Sequence, residues 1–551
     1  MVSAPPSDRV KRLTLVACIL GSGVALLDST VVNVALPSIT RELGGGLAGQ
    51  QWVINAYLLM LGSLILLGGS LGDEFGERRV FALGVALFGA TSLLCALAPS
   101  IELLVLGRAL QGVAGALLTP SALAVIIATF PPEERGRAIG SWTAWVGIAT
   151  VIGPLVGGEL LSAASWRWIF LINLPFAGLC VALIFAVIPA RTPESSPGHV
   201  DVPGAVLAAL GLGGPVFALI EEPRLGWGHP AVLGPLVLGA LLLAAFVFLE
   251  ARSRAPMLPL GLFGRRNFSV GNLETFATYG GLAILLFFLV LFLQQVVGYT
   301  PLQSGLATLP TSVVMFTLSR RFGALADRFG PRLFMGLGPL LAAGGLLLLL
   351  RLGTRVDYVA EVLPALLVFA LGLSMTVAPL TAAVLAGVDE HRAGIASAVN
   401  NAIARVAGLV AISVIGAVVA AQFAGALDGR LAGRRLDGPA RAAVAQLKRQ
   451  PLGRPRVGGL PVAQGRAISA AAGEASVSSF HLGLGVAAAL VALGGLLGAA
   501  GIRNPRRHVA AERCAGGQLA GASPDAAGCP EPRREGSARE PALAGAPPTE
   551  R

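Results

Sequence analysis

Four ionisable side chains stand inside long apolar runs of this sequence. Asp28 lies in Leu27-Asp28-Ser29-Thr30-Val31-Val32-Asn33, Arg108 opens Arg108-Ala109-Leu110-Gln111-Gly112, Glu274 lies in Asn272-Leu273-Glu274-Thr275-Phe276, and Arg405 follows Asn400-Asn401. A charge placed in hydrocarbon is costly unless it faces a cavity, finds a counter-charge or is neutralised by a proton, so such groups mark ion or substrate pathways. The chemistry open to these four is proton uptake and release at Asp28 and Glu274, with Arg108 and Arg405 as counter-charges. Bond-making chemistry has no such support. No Gly-x-x-x-x-Gly-Lys-Ser/Thr phosphate loop occurs, and the five His are scattered without metal-ligand spacing. Neither ATP, a metal nor another cofactor is expected, and the chain does not read as an enzyme.

The elements that must hold these groups are membrane spans. The 551 residues are 54% hydrophobic and 13% charged, too apolar for a soluble fold. The net charge of +11 sits mostly in short loops, as the positive-inside rule requires, and argues for a lipid bilayer as partner and against nucleic acid. Fourteen apolar runs of roughly 17 to 25 residues can be drawn. They give a short N-terminus at 1–12, six spans over 13–189, two spans over 203–249 and six spans over 268–502. Residues 423–479 read as a long, mostly irregular external loop with a short surface helix at 440–447, and 503–551 as a disordered tail. An even count puts both termini on one side, and the Arg-rich short loops make that side cytoplasmic. Cys18, Cys95 and Cys180 fall inside spans and Cys514 and Cys529 in the tail, so no disulfide framework is implied.

Helical rise then fixes depth. Asp28 lies about 22 Å from the cytoplasmic face and Arg108 about 8 Å below the opposite face, which coincide in a bilayer about 30 Å thick. The two are expected to pair, the alternative for Arg108 being hydrogen bonds to backbone carbonyls. Glu274 is expected in the inner half, as a second proton site or as the anionic partner of a cationic substrate. Arg405, Asn400, Asn401 and Tyr279 are expected to line the substrate cavity with it. Trp142, Trp145, Phe287 and Phe288 are further candidates for π contacts to a cation, whereas Glu159 reads as interfacial.

An internal repeat organises the spans. Gly69-Ser70-Leu71-Gly72-Asp73-Glu74-Phe75-Gly76-Glu77-Arg78-Arg79 follows the second span, and Gly323-Ala324-Leu325-Ala326-Asp327-Arg328-Phe329-Gly330-Pro331-Arg332 follows the tenth. Two copies in register predict two six-helix halves with two central helices inserted between them, the usual plan of a transporter with its site between the halves.

The repeated loop resembles the signature between the second and third helices of the major facilitator superfamily, although Glu74 and Glu77 stand where that family favours a basic residue. The run from Arg108 to Gly112 is similar to its fourth-helix motif, associated with proton transfer. The stretch from Gly147 to Gly158, with Gly153, Pro154, Gly157 and Gly158, resembles the fifth-helix motif of exporters; its small residues allow close helix contact and its proline a bend. Leu27 to Pro37 and Trp166-Arg167-Trp168-Ile169-Phe170-Leu171-Ile172-Asn173-Leu174-Pro175 are similar to segments of the fourteen-span drug:proton antiporters, the EmrB/QacA branch. The resemblance implies an all-α membrane protein of the major facilitator fold. It also implies export of lipophilic, cationic or amphipathic small molecules across the plasma membrane, driven by the proton-motive force. A dedicated exporter of one metabolite or antibiotic shares these signatures. A polytopic transferase would need an acidic or metal-binding soluble loop, which the basic 423–479 stretch does not offer, and a non-transporting receptor would show no proton flux.

Overall fold

The computed structural model describes residues 7–189, 200–253, 256–386, 388, 392–453, 455 and 457–504. The tail expected to be disordered, with Cys514 and Cys529, lies almost wholly outside these residues. Among the described residues the chain is helical, without strands. The long helices are α1 Asp8–Leu43, α2 Gly46–Phe75, α3 Glu77–Ala96, α4 Ile101–Thr129, α5 Pro132–Ala163 and α6 Trp168–Val187. They continue as α7 Val202–Leu225, α8 Pro230–Arg252, α9 Arg266–Val297, α10 Pro301–Phe329, α11 Pro331–Arg351, α12 Tyr358–Leu385, α13 Ala393–Leu431 and α14 Val462–Gly501.

Thirteen of these are long and apolar enough to cross a membrane. The exception is α10, where a tenth span was expected at 303–323: it is a full helix but carries Arg320, Arg321, Asp327 and Arg328 near its C-terminal end. Its start is specified locally. Thr300 accepts from the Gln303 backbone N–H at 3.1 Å, Gln303 returns a side-chain acceptor to Thr300 at 2.9 Å, and Pro301 fits the first helical position.

Helices α1–α6 pack among themselves, as do α9–α14, and the two groups meet mainly through α2 against α13 and α5 against α10. Counting within each half, these are the same pair of positions, second against fifth and fifth against second, which is the symmetry the sequence repeat predicts. The inserted α7 and α8 pack on each other, and α7 lies along the α2–α13 seam while α8 is left largely to face outward. The fold thus gives the inserted pair a place beside one inter-half contact.

The expected irregular loop at 423–479 is corrected. Helix α13 runs on to Leu431, α14 begins at Val462, and a short helix spans Gly438–Lys448. Phe423 and Leu427 pack against Ile468, Ala471 and Ala475 above the spans. Arg430–Glu474 at 3.0 Å and Lys448–Asp428 at 2.6 Å tie the exposed faces. These helix ends are amphipathic, so a search for wholly apolar windows stops short of them.

The repeated loop forms the same structure twice. Gly76 ends α2 with φ 91° and Gly330 ends α10 with φ 85°, a region open to glycine at no steric cost. Two residues later, Arg78 donates to the Phe185 carbonyl at the end of α6 at 3.1 Å. Arg332 likewise donates to the Ala499 carbonyl at the end of α14 at 2.6 Å. Each arginine therefore binds the C-terminal carbonyls of the last helix of its own half, where a cation is favoured. Asp73 of the repeated loop forms no ion pair among the described residues and is exposed. A Cβ added at Gly69, Gly72 or Gly323 would meet only ordinary van der Waals contacts, and Arg328 is exposed.

Candidate functional site

Asp28 and Arg108 meet, and both are withdrawn from solvent, at 0% and 1% exposure. Arg108 Nη1 donates to Asp28 Oδ2 at 2.5 Å and to Gln111 Oε1 at 2.6 Å, while its Nε donates to the Val53 carbonyl at 3.1 Å. The guanidinium lies 4.5 Å from the centre of the Tyr57 ring. The paired and carbonyl-bonded readings of Arg108 are therefore both realised. The other carboxylate oxygen, Oδ1, accepts from Gln111 Nε2 and from Asn173 Nδ2, each at 3.1 Å. Both amides also reach Ser92 Oγ, at 2.9 and 3.2 Å.

Gln111, Asn173 and Ser92 were not singled out from the sequence as site residues. Gln111 follows Arg108 by three positions and shares its helix face, which was a usable signal; Asn173 and Ser92 arrive from α6 and α3, which local spacing does not reveal. With all these donors a buried ion pair meets the condition for being tolerated, that the remaining lone pairs are also satisfied.

Between the halves lies a cavity of about 1260 Å³. Its walls come from α1, α2, α4 and α5 on one side and α9, α10 and α13 on the other, and Arg108 reaches it. Its exposed rim holds Asp73, Ser253, Gly261 and Arg392, all at the end of the bundle that carries both termini. The opposite end is shut by polar ties between the halves. Gln294 donates to the Val34 carbonyl at 2.9 Å, Gln51 to the Ile412 carbonyl at 2.7 Å and Asn55 to Ser413 Oγ at 2.9 Å. The α5 motif works at this closed end. A Cβ on Gly157 would stand 2.6 Å from Val31 Cγ1, and one on Gly158 would stand 2.6 Å from Leu302 Cα of α10. Gly153 abuts Thr30, and Pro154 packs against Gly305 of α10. This motif thus seats α1 within three residues of Asp28 and simultaneously joins the two halves.

The expected cavity set is divided by the structure. Arg405, Asn401 and Tyr279 line the cavity, as does Trp142. Glu274 does not. It is fully buried and turned toward α14 beside Gly494 and Gly498, next to the Met335 backbone of α11, and neither carboxylate oxygen has a hydrogen-bond partner. Asn400 is also off the cavity, donating to Asn272 Oδ1 at 2.9 Å and Thr275 Oγ1 at 2.7 Å as a tie between α13 and α9. Trp145 is 59% exposed on the outside of the bundle, and Phe287 and Phe288 are core residues packed edge to face. Glu159 is exposed.

The family model of the Major Facilitator Superfamily matches residues 18–412. The chain belongs to the major facilitator superfamily. It is 39% identical to the puromycin resistance protein pur8 of Streptomyces alboniger over 412 residues, covering 73% of this chain and 81% of that one. To the multidrug resistance protein Stp of Mycobacterium tuberculosis it is 36% identical over 429 residues, 77% and 79% of the two chains. To the tetracenomycin C resistance and export protein of Streptomyces glaucescens it is 33% identical over 484 residues, 86% and 88%. Among solved structures it is similar to a bacterial homolog of the human lysosomal transporter Spinster in an inward-facing, unoccupied conformation. The TM-score is 0.64 at 18% identity, over 91% of this chain and 100% of that one. Like other members of the superfamily it is a multi-pass membrane protein that handles small molecules.

Proposed function

We propose that this protein is a proton-coupled secondary active exporter of lipophilic, amphipathic compounds in the cell membrane, with both termini and the open end of the cavity in the cytoplasm. The observation that carries the reading is the wholly buried Asp28–Arg108 pair, whose arginine lines a cavity that opens at one end between two symmetry-related halves. The resistance and export names of the relatives support it. Protonation of Asp28 removes the charge that holds Arg108, and loss of the proton restores the pair. Because Thr30 and Val31 rest directly on the α5 glycines, and α5 rests on α10, a change in seating at Asp28 reaches the closed end of the cavity. Rocking of the halves would then expose the cavity to the other side. No cofactor takes part; the proton gradient is the energy source.

Glu274 has a different place in this scheme. Sealed from the cavity, it has room for a proton and none for a substrate, and so is assigned to proton coupling only. The expectation of a cationic substrate loses its anionic partner with it.

The reading is tested in inverted membrane vesicles energised by an imposed pH gradient without ATP. Lipophilic compounds from a chemically varied panel are expected to accumulate and to release protons from the vesicles as they do so. Accumulation that requires ATP, or that moves no protons, would contradict it. Accumulation of a single compound from the panel would favour the dedicated exporter.

A further inference from the structure

The deep part of the cavity contains one cation that the fold leaves unanswered. Arg405 lines the wall, its Nε is closed to solvent without an acceptor, and none of the ion pairs found among the described residues includes it. A second guanidinium deep on the wall, Arg108, is held by Asp28, Gln111 and the Val53 carbonyl, and Arg392 stands at the mouth. Glu274, which the sequence offered as the neutralising partner of Arg405, faces α14 instead.

Arg405 is also not isolated from other polar groups. Ser397, Asn401 and Arg405 recur at four-residue spacing on one face of α13 and all line the cavity, so they form a single polar stripe. Asn401 Oδ1 is buried without a partner. Tyr57 and Tyr279 line the same cavity. The rest of the wall nearby is apolar, with Leu58, Leu282, Leu286 and Met315.

The carboxylates on the cavity wall are all at the mouth. Asp73 is exposed, Asp201 caps α7 by accepting from the Gly204 N–H at 2.8 Å, and Glu250 accepts from the Leu258 N–H at 2.9 Å, with Arg392 beside them. At that mouth Asp73 is in solvent, where salt screens charge over about 8 Å, and Glu250 is buried, whereas Arg405 is part-buried farther along α13. A planar guanidinium in a low-dielectric pocket binds a carboxylate or phenolate by charge-assisted hydrogen bonds, the strongest available in such a place, and repels an ammonium.

Given the export role proposed above, we infer that Arg405 anchors an anionic group on the exported compound, so that the preferred substrates are amphipathic aromatic acids. The acidic group is held by Arg405, with the amide nitrogen of Asn401 as a further donor, and the ring system rests on the leucines and Met315.

Two dyes on one ring system separate charge from shape: fluorescein, which carries a carboxylate and a phenolate, and rhodamine 6G, an esterified cation. Binding to the purified full-length protein is read by fluorescence anisotropy. Fluorescein is expected to bind more tightly than rhodamine 6G. Arg405→Gln should weaken fluorescein binding about tenfold, the loss of a charge-assisted hydrogen bond; Arg405→Lys should restore part of it, and rhodamine 6G should be unaffected or improved. An unchanged melting temperature shows that Arg405→Gln still folds. Absent fluorescein binding, tighter rhodamine 6G binding, or equal losses for both dyes in Arg405→Gln would overturn the assignment. In proteoliposomes with a pH gradient, fluorescein that binds as expected but never crosses the membrane would refute the export role and leave the Arg405 site standing.

Discussion

Asn173 Nδ2 stands 3.1 Å from Asp28 Oδ1, so the last helix of the first half holds the carboxylate of its first. With Gln111 on the same oxygen and Arg108 on the other, Asp28 is gripped from α4 and α6 at once. Its protonation state is therefore coupled to how three helices of one half sit together.

That coupling predicts the effect of the amides. Gln111→Leu removes one donor from Asp28 and one acceptor from Arg108, each buried. Leaving buried polar groups short of partners costs about 1–3 kcal/mol, so proton-driven transport should fall by about tenfold while dye binding in the cavity stays within about twofold. Transport and anisotropy on the same preparation check this. A parallel loss of both would place Gln111 in the binding surface instead.

The α5 contact predicts a steric effect. Gly157→Leu drives a side chain into Val31, and overpacking of this kind costs about 1–3 kcal/mol. We expect a lower melting temperature and strongly reduced transport. Gly158→Ala meets Leu302 of the other half and should instead loosen the closed end. Faster labelling of a cysteine introduced at Ser304 by a membrane-impermeant reagent added from the outside would report that opening.

Glu274→Gln separates the two roles the sequence allowed. Since the carboxyl touches no cavity surface, binding of both dyes should change by less than about twofold, within the error of losing no contact. The number of protons moved per dye should fall. A tenfold loss of rhodamine 6G binding would show that substrate reaches Glu274 after all.

How far the sequence reaches can be seen at individual residues. The Asp28–Arg108 pair was legible because helical rise converts position into depth, and a buried carboxylate at one depth demands a cation at the same depth. Rise says nothing about azimuth. Asn400 and Asn401 are adjacent and differ by about 100° around the helix, so one ties α13 to α9 while the other faces the cavity. Glu274 likewise has the depth expected of it and faces the wrong neighbour. The two halves were visible because the Gly-rich turn is repeated, with Gly76 and Gly330 in matching backbone conformations. The helical extensions around 423–479 were hidden by their polar faces, and the Asn173 and Ser92 contributions by the distance in sequence over which they converge.

The most direct test of the central claim is Asp28→Asn, which keeps the shape and a hydrogen-bonding oxygen but cannot take up and release a proton. In proteoliposomes, pH-gradient-driven transport of fluorescein should disappear, whereas exchange of labelled for unlabelled dye without a gradient should continue. Full gradient-driven transport by Asp28→Asn would contradict the account.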